Sequence, residues 1–137
     1  MLRTFGAVLL GLLVGVATML ALEYAGMALF PPPPDLDLQD EADLARLVAS
    51  ASTGKLLWVL GGWCLAGFAG AWVAARLARG HRLLAGLAVG GLIVAGVILN
   101  VAALPHPLWM ILAGLLLPMP LAWLATRLAA RRTAPRL

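Results

Sequence analysis

The chain has 137 residues, the length of a single domain, and 63% of them are hydrophobic, with a mean hydropathy of +0.98; that lies well outside the range of soluble globular proteins. The net charge of +4 would suit nucleic acid if the basic residues lined a polar face among aromatics, but the arginines stand at the ends of apolar runs, so nucleic acid is not expected as a partner. The one cysteine, Cys64, excludes an intrachain disulfide and a Cys-rich metal site, and within an apolar run it reads as a small buried hydrophobe.

Apolar runs of about 20 residues, enough to cross a hydrocarbon core of roughly 30 Å, occur four times. The first is predicted over residues 5–30, after Arg3 and up to the four prolines 31–34, which cannot continue a hydrogen-bonded helix. A basic start before an apolar run also describes a secretory signal. The uncharged stretch 5–22 is longer than a usual signal core and further spans follow it, so a retained span is expected.

The prolines should form a stiff polyproline II strut leading into an acidic stretch with Asp35, Asp37, Asp40 and Glu41. From Asp40, the residues Leu44, Leu47, Val48 and Ala51 recur at helical spacing, while Asp40, Glu41 and Asp43 crowd the first turn. Carboxylates there satisfy free amides and favour the helix dipole, so a short amphipathic helix on the membrane surface is predicted. Ser50, Ser52, Thr53 and Gly54 end this outer loop, residues 31–54.

The remaining spans are predicted over residues 56–75, 83–104 and 108–126. Arg76, Arg79, Gly80, His81 and Arg82 join the second to the third, and Pro105, His106 and Pro107 join the third to the fourth. Connections this short make consecutive spans antiparallel neighbours. The expected fold is an all-α membrane protein, one domain over residues 1–137. It is a four-transmembrane-helix bundle of two antiparallel helical hairpins, with a short amphipathic helix at the outer surface.

Near the span ends, Arg3, Arg76, Arg79, Arg82, Arg127, Arg131, Arg132 and Arg136 stand on one side, and only Arg46 and Lys55 on the other. Eight against two is a strong positive-inside signal, placing both termini in the cytoplasm and the acidic loop outside. The tail from Arg127 should meet anionic headgroups at about 1 kcal/mol per charge. Residues 71–78 (Ala-Trp-Val-Ala-Ala-Arg-Leu-Ala) and 122–129 (Ala-Trp-Leu-Ala-Thr-Arg-Leu-Ala) agree at six of eight positions. The agreement fits either duplication of a hairpin or independent interface anchoring by Trp and Arg. Small residues form stripes at Gly11 and Gly15, at Gly62, Ala66 and Gly70, and at Gly86 and Gly90; such stripes let helix backbones approach within the bundle or in an oligomer. Pro118 and Pro120 should kink the last span.

The candidate site is a polar cluster on the outer side, formed by Glu23, Tyr24, Asn100, His106 and Trp109. Glu23 is the one acid within a predicted span, which makes it a functional candidate. Counting about 1.5 Å per residue from Phe5 puts it roughly 27 Å along the helix, near the outer boundary. It lies roughly 60 to 80° from the Gly15 and Gly26 face, so it can point between helices. Trp58 and Trp63 are predicted at the same level, where aromatic belts also occur without any ligand. His106, between two prolines, reads as a rigid turn residue. No nucleophile motif, phosphate-binding loop or dinucleotide fingerprint is present, and no metal-ligand spacing; no catalytic residue, metal or cofactor is expected.

The segments Glu23-Tyr24-Ala25-Gly26, Leu29-Phe30-Pro31-Pro32-Pro33 and Pro105-His106-Pro107-Leu108-Trp109 resemble those of a group of small bacterial four-span membrane proteins with no assigned function. The resemblance implies the same architecture and a bacterial inner-membrane location. In that group the residue four after the glutamate is often histidine, where this chain has Met27. A looser likeness, to the small multidrug-resistance transporters, rests on four spans, short length and a glutamate in the first span. The leading expectation is a non-enzymatic inner-membrane protein serving as a structural or accessory subunit. Its partners would be the bilayer and either further copies of itself or another membrane protein. The alternative is a small transporter or channel protomer using Glu23 as a proton or cation site.

Overall fold

The computed structural model describes residues 2–78 and 80–131; Arg79, Arg132 and Arg136, three of the arginines counted above, lie outside the described residues. The chain folds into α1 (Leu2–Leu29), α2 (Glu41–Ala49), α3 (Thr53–Leu77), α4 (Arg82–Ala103), α5 (Leu108–Leu116) and α6 (Pro118–Arg131). Four stretches are long and apolar enough to cross a membrane: Leu2–Leu29, Thr53–Leu77, Arg82–Ala103 and Leu108–Arg131. The chain is thus a multi-pass, all-helical membrane protein by length and composition.

Local chemistry sets the helix ends. The prolines after Phe30 stop α1. Asp40 caps α2, its carboxylate accepting from the amides of Ala42 at 2.7 Å and Asp43 at 3.2 Å. Ser52 caps α3 by accepting from the Lys55 amide. Gly80, at φ +100°, turns the chain between α3 and α4 in a backbone region that side chains disfavour. The predicted kink in the last span is a break between α5 and α6 at Leu117, since Pro118 and Pro120 offer no amide to the carbonyls four residues earlier. Beyond the break, α6 continues to Arg131, five residues past the predicted end of the span.

Two ends of the bundle can be distinguished: a proline end carrying residues 30–52 and 104–107, and an arginine end carrying Ala78, Gly80 and His81. Along the α1 and α3 interface, Gly11 meets Gly70 and Ala74, Gly15 meets Ala66, and Gly26 meets Trp58; the descending partner numbers make the two helices antiparallel. Gly86 against Thr126 and Gly90 against Ala122 show the same relation between α4 and α6. Helices α3 and α4 also pack on each other, and α3 packs on α6, so α3 lies at the centre of the bundle. Helix α2 has no close backbone contact with any other helix among the described residues.

The interior is built from small residues. Ala66, Ala74, Ala85 and Val89 lie in one buried cluster, Ala71, Ala122 and Ala125 in another, and Leu60, Trp63, Val97 and Met110 in a third nearer the proline end. Leu10, Leu13, Leu20 and Leu99 point outward. Leucine outside and alanine inside is the pattern expected where lipid is as apolar as the core and only close packing holds helices together. Most of the glycine stripes are spent on this internal contact.

The repeat has a structural counterpart. Ala71, Ala74 and Ala75 of α3 and Ala78 at its C-terminal cap are buried, and so are the matching Ala122, Ala125, Thr126 and Ala129 in α6. On the opposite face, the Arg76 guanidinium lies 5.0 Å from the Trp72 ring centre and that of Arg127 lies 4.8 Å from Trp123, two i, i+4 cation–π pairs. Thr126 is the buried polar residue of the core among the described residues, and its hydroxyl donates to the Ala122 carbonyl at 2.8 Å.

Candidate functional site

At the proline end, the loop with α2 lies over the last turns of α1 and the first turns of α3. The result is a cavity of about 260 Å³. Glu23 and Met27 of α1 form one wall, Lys55, Trp58 and Val59 of α3 another, and Leu38, Leu44 and Leu47 the cover.

Trp58 organises this site because Gly26 lies beneath it. A Cβ on Gly26 would come within 2.9 Å of Trp58 Nε1; without one, the indole lies against α1 and donates to the Leu22 carbonyl at 2.8 Å. Interhelical hydrogen bonds in lipid contribute on average about 0.6 kcal/mol and at most about 1.7. Trp58→Phe, which keeps an aromatic ring and removes the donor, should therefore lower stability by about 1 kcal/mol, measured by reversible unfolding in detergent.

The cover is held by its own carboxylates. The Asp37 amide donates to Asp43 Oδ2 at 3.0 Å, the Gln39 amide to Asp37 Oδ1 at 2.9 Å, and Arg46 pairs with Asp43 at 3.3 Å. Most of this acid is thereby committed to shaping the loop. Glu23 and Lys55 front the cavity with opposite charges and form no ion pair with each other among the described residues. Beside it lies a separate crevice of about 10 Å³, which shares Glu23, Trp58 and Val59 with the cavity and is bounded also by Leu22, Gly62 and Trp63.

Of the five residues predicted as one cluster, Glu23 lines this cavity. Glu23 is exposed on the cavity rim and not between the helices, because the Gly11, Gly15 and Gly26 stripe is covered by α3 and Trp58 occupies the space alongside. Tyr24 is 76% exposed and Trp109 41% exposed. Asn100 is half-buried, and none of these three lines the cavity. His106 sits on the other side of Trp63, ring centres 5.7 Å apart at 57°. Its backbone amide donates to the Leu104 carbonyl at 2.9 Å, and its Nδ1 lies 2.9 Å from the same oxygen, a bond that requires the proton on Nδ1. The ring is fixed by its own turn.

Sequence reasoning left out Lys55, Leu44 and Leu47 as site residues. Lys55 carries a readable signal, as the lone cation between the acidic loop and the second span; Leu44 and Leu47 were legible as a helix face but not as the roof of anything. Compared with known proteins, the chain matches no protein-family model, no curated protein and no solved structure.

Proposed function

We propose that this chain is a non-enzymatic, structural or accessory subunit of a bacterial cytoplasmic membrane. It crosses four times as two helical hairpins of like orientation, with both termini cytoplasmic and the proline end outside. The arginine asymmetry supports that orientation, and the matching buried faces of α3 and α6 support the hairpin pairing. Helix α2, with Leu44 and Leu47 turned to the cavity and no close backbone contact to the spans, lies in the outer headgroup zone as an interfacial amphipathic helix. It is the surface through which a partner membrane protein or a second copy engages.

The observation that carries this reading is the crevice behind Glu23. Its volume of about 10 Å³ is at the lower limit for holding one water, and Trp63 closes its inner side. A rim site of this kind suits attachment better than passage. The transport alternative draws on Glu23, an acid facing a cavity at the bundle edge, and makes a different prediction. In cells, Glu23→Gln should leave membrane accumulation and every transport or resistance phenotype unchanged. Loss of proton- or cation-coupled flux in a protein that still accumulates would favour transport instead. In the same assay, replacing residues 36–51 by a flexible linker should abolish crosslinked partner capture, and undiminished capture would remove α2 as the docking element.

A further inference from the structure

One face of α1 carries Leu13, Val16, Leu20, Glu23 and Met27 at helical spacing, and each of them is exposed. The apolar members suit lipid. Glu23 stands in the same line, more than a turn before the end of α1 at Leu29, which places its carboxylate roughly 9 Å inside the helix end. A charge facing outward at that depth is costly without a counter-charge.

Across the cavity of about 260 Å³, α3 presents the ammonium of Lys55. Among the described residues, neither the Glu23 carboxylate nor the Lys55 ammonium makes a hydrogen bond or an ion pair. The neighbouring polar groups are committed elsewhere. Asp43 accepts from Arg46 and from the Asp37 amide, Asp37 accepts from the Gln39 amide, and the Trp58 indole donates to the Leu22 carbonyl. An anion and a cation therefore face one small cavity whose other walls, among them Met27, Leu38, Leu44, Leu47 and Val59, are apolar.

A ligand of one sign would meet one attraction and one repulsion there, whereas a ligand carrying both charges meets two attractions. The volume lies just below the roughly 300–1,000 Å³ of pockets for drug-sized molecules. That is room for a polar headgroup and too little for acyl chains, for which the exposed line of Leu20, Val16 and Leu13 offers a lipid-facing track. Tyr24 is exposed next to Glu23, and Trp58 lines the cavity; such aromatics mark the headgroup level of a bilayer. A carboxylate also prefers a primary ammonium, which gives it charge-assisted hydrogen bonds, to a quaternary one, which has no N–H to give.

We infer that the cavity beneath α2 holds the headgroup of a zwitterionic phospholipid bearing a primary ammonium. The ammonium meets Glu23, the phosphate meets Lys55, and the acyl chains follow α1 from Leu20 toward Leu13. Such binding requires only that the proline end lie at headgroup level, and is independent of any protein engaged through α2.

The test uses the full chain, purified and reconstituted in bilayer discs of phosphatidylethanolamine, phosphatidylcholine and phosphatidylglycerol in equal parts, with retained lipid read by native mass spectrometry. Wild type should retain phosphatidylethanolamine in preference to the other two. E23Q should reduce that preference about fivefold, the equivalent of about 1 kcal/mol. K55Q removes the partner of a phosphate that all three lipids share, so it should lower total retention about fivefold and leave the order of preference. E41Q, which removes an acid of the same end that does not line the cavity, should change neither. Wild-type preference in an inserted E23Q protein, or an equal loss in E41Q, would overturn the site. Displacement by millimolar glycerophosphoethanolamine would overturn the lipid in favour of a free zwitterion, and a dimer that retains no lipid would give the cavity to a second copy. Absence of any preference in wild type would overturn the assignment whether or not the variants insert.

Discussion

Gly70→Leu should dissolve the packed bundle while Gly61→Leu, nine residues earlier on the same helix, should leave it intact. A Cβ at Gly70 would fall 2.6 Å from the Gly11 carbonyl oxygen and 2.9 Å from Val89 Cγ1. One neighbour is backbone and the other a stiff β-branched side chain, so neither can give way without moving a helix. Overpacking in well-filled interiors costs about 1–3 kcal/mol. Here a whole leucine must enter a contact closed at both α1 and α4, so an effect of about 3 kcal/mol or more is expected. At Gly61 nothing lies within 4 Å, and a leucine there meets lipid. Unfolding in detergent, with protease resistance as a second readout, should show a large loss for the first variant and a change below about 0.5 kcal/mol for the second. Equal effects would mean that α1, α3 and α4 do not meet at Gly70.

Trp63→Ala should be the most damaging truncation in the bundle. Trp63 is 2% exposed and packs with Leu60, Val97 and Met110. Its ring fills the notch at Gly114, where a Cβ would come within 2.7 Å, and its other side meets His106. Removing a buried tryptophan costs about 3–5 kcal/mol in soluble proteins. In lipid the transfer term is largely absent and the lost dispersion contacts remain, so the lower end, about 3 kcal/mol, is expected. Trp63→Phe should cost less than half as much. A further consequence is local: with the ring gone, the crevice behind Glu23 should admit water, which faster hydrogen exchange at the start of α3 would report. Unchanged exchange alongside the stability loss would separate the core role of Trp63 from its role in closing the crevice.

The spans were legible in the sequence because their limits are chemical. Prolines 31–34 stop α1, Asp40 and Ser52 cap the next two helices, and the predicted third span of 83–104 became Arg82–Ala103. Charge asymmetry was equally visible, since it is a matter of counting arginines and carboxylates along the chain. Facing was not. Gly61 and Gly62 are neighbours, yet Gly62 is buried against α1 and Gly61 meets nothing; Gly90 packs on Ala122 and Gly91 is open. Glu23 turned to the rim and joined Lys55 in one cavity, while Tyr24, Asn100 and Trp109 stayed apart from it. In water, alternation of polar and apolar residues marks the buried face of a helix. A span in lipid is apolar all round, so the sequence by itself determined how many long apolar spans there are and most of their ends. Which faces meet was decided only by the close fit of glycine, alanine and tryptophan in three dimensions.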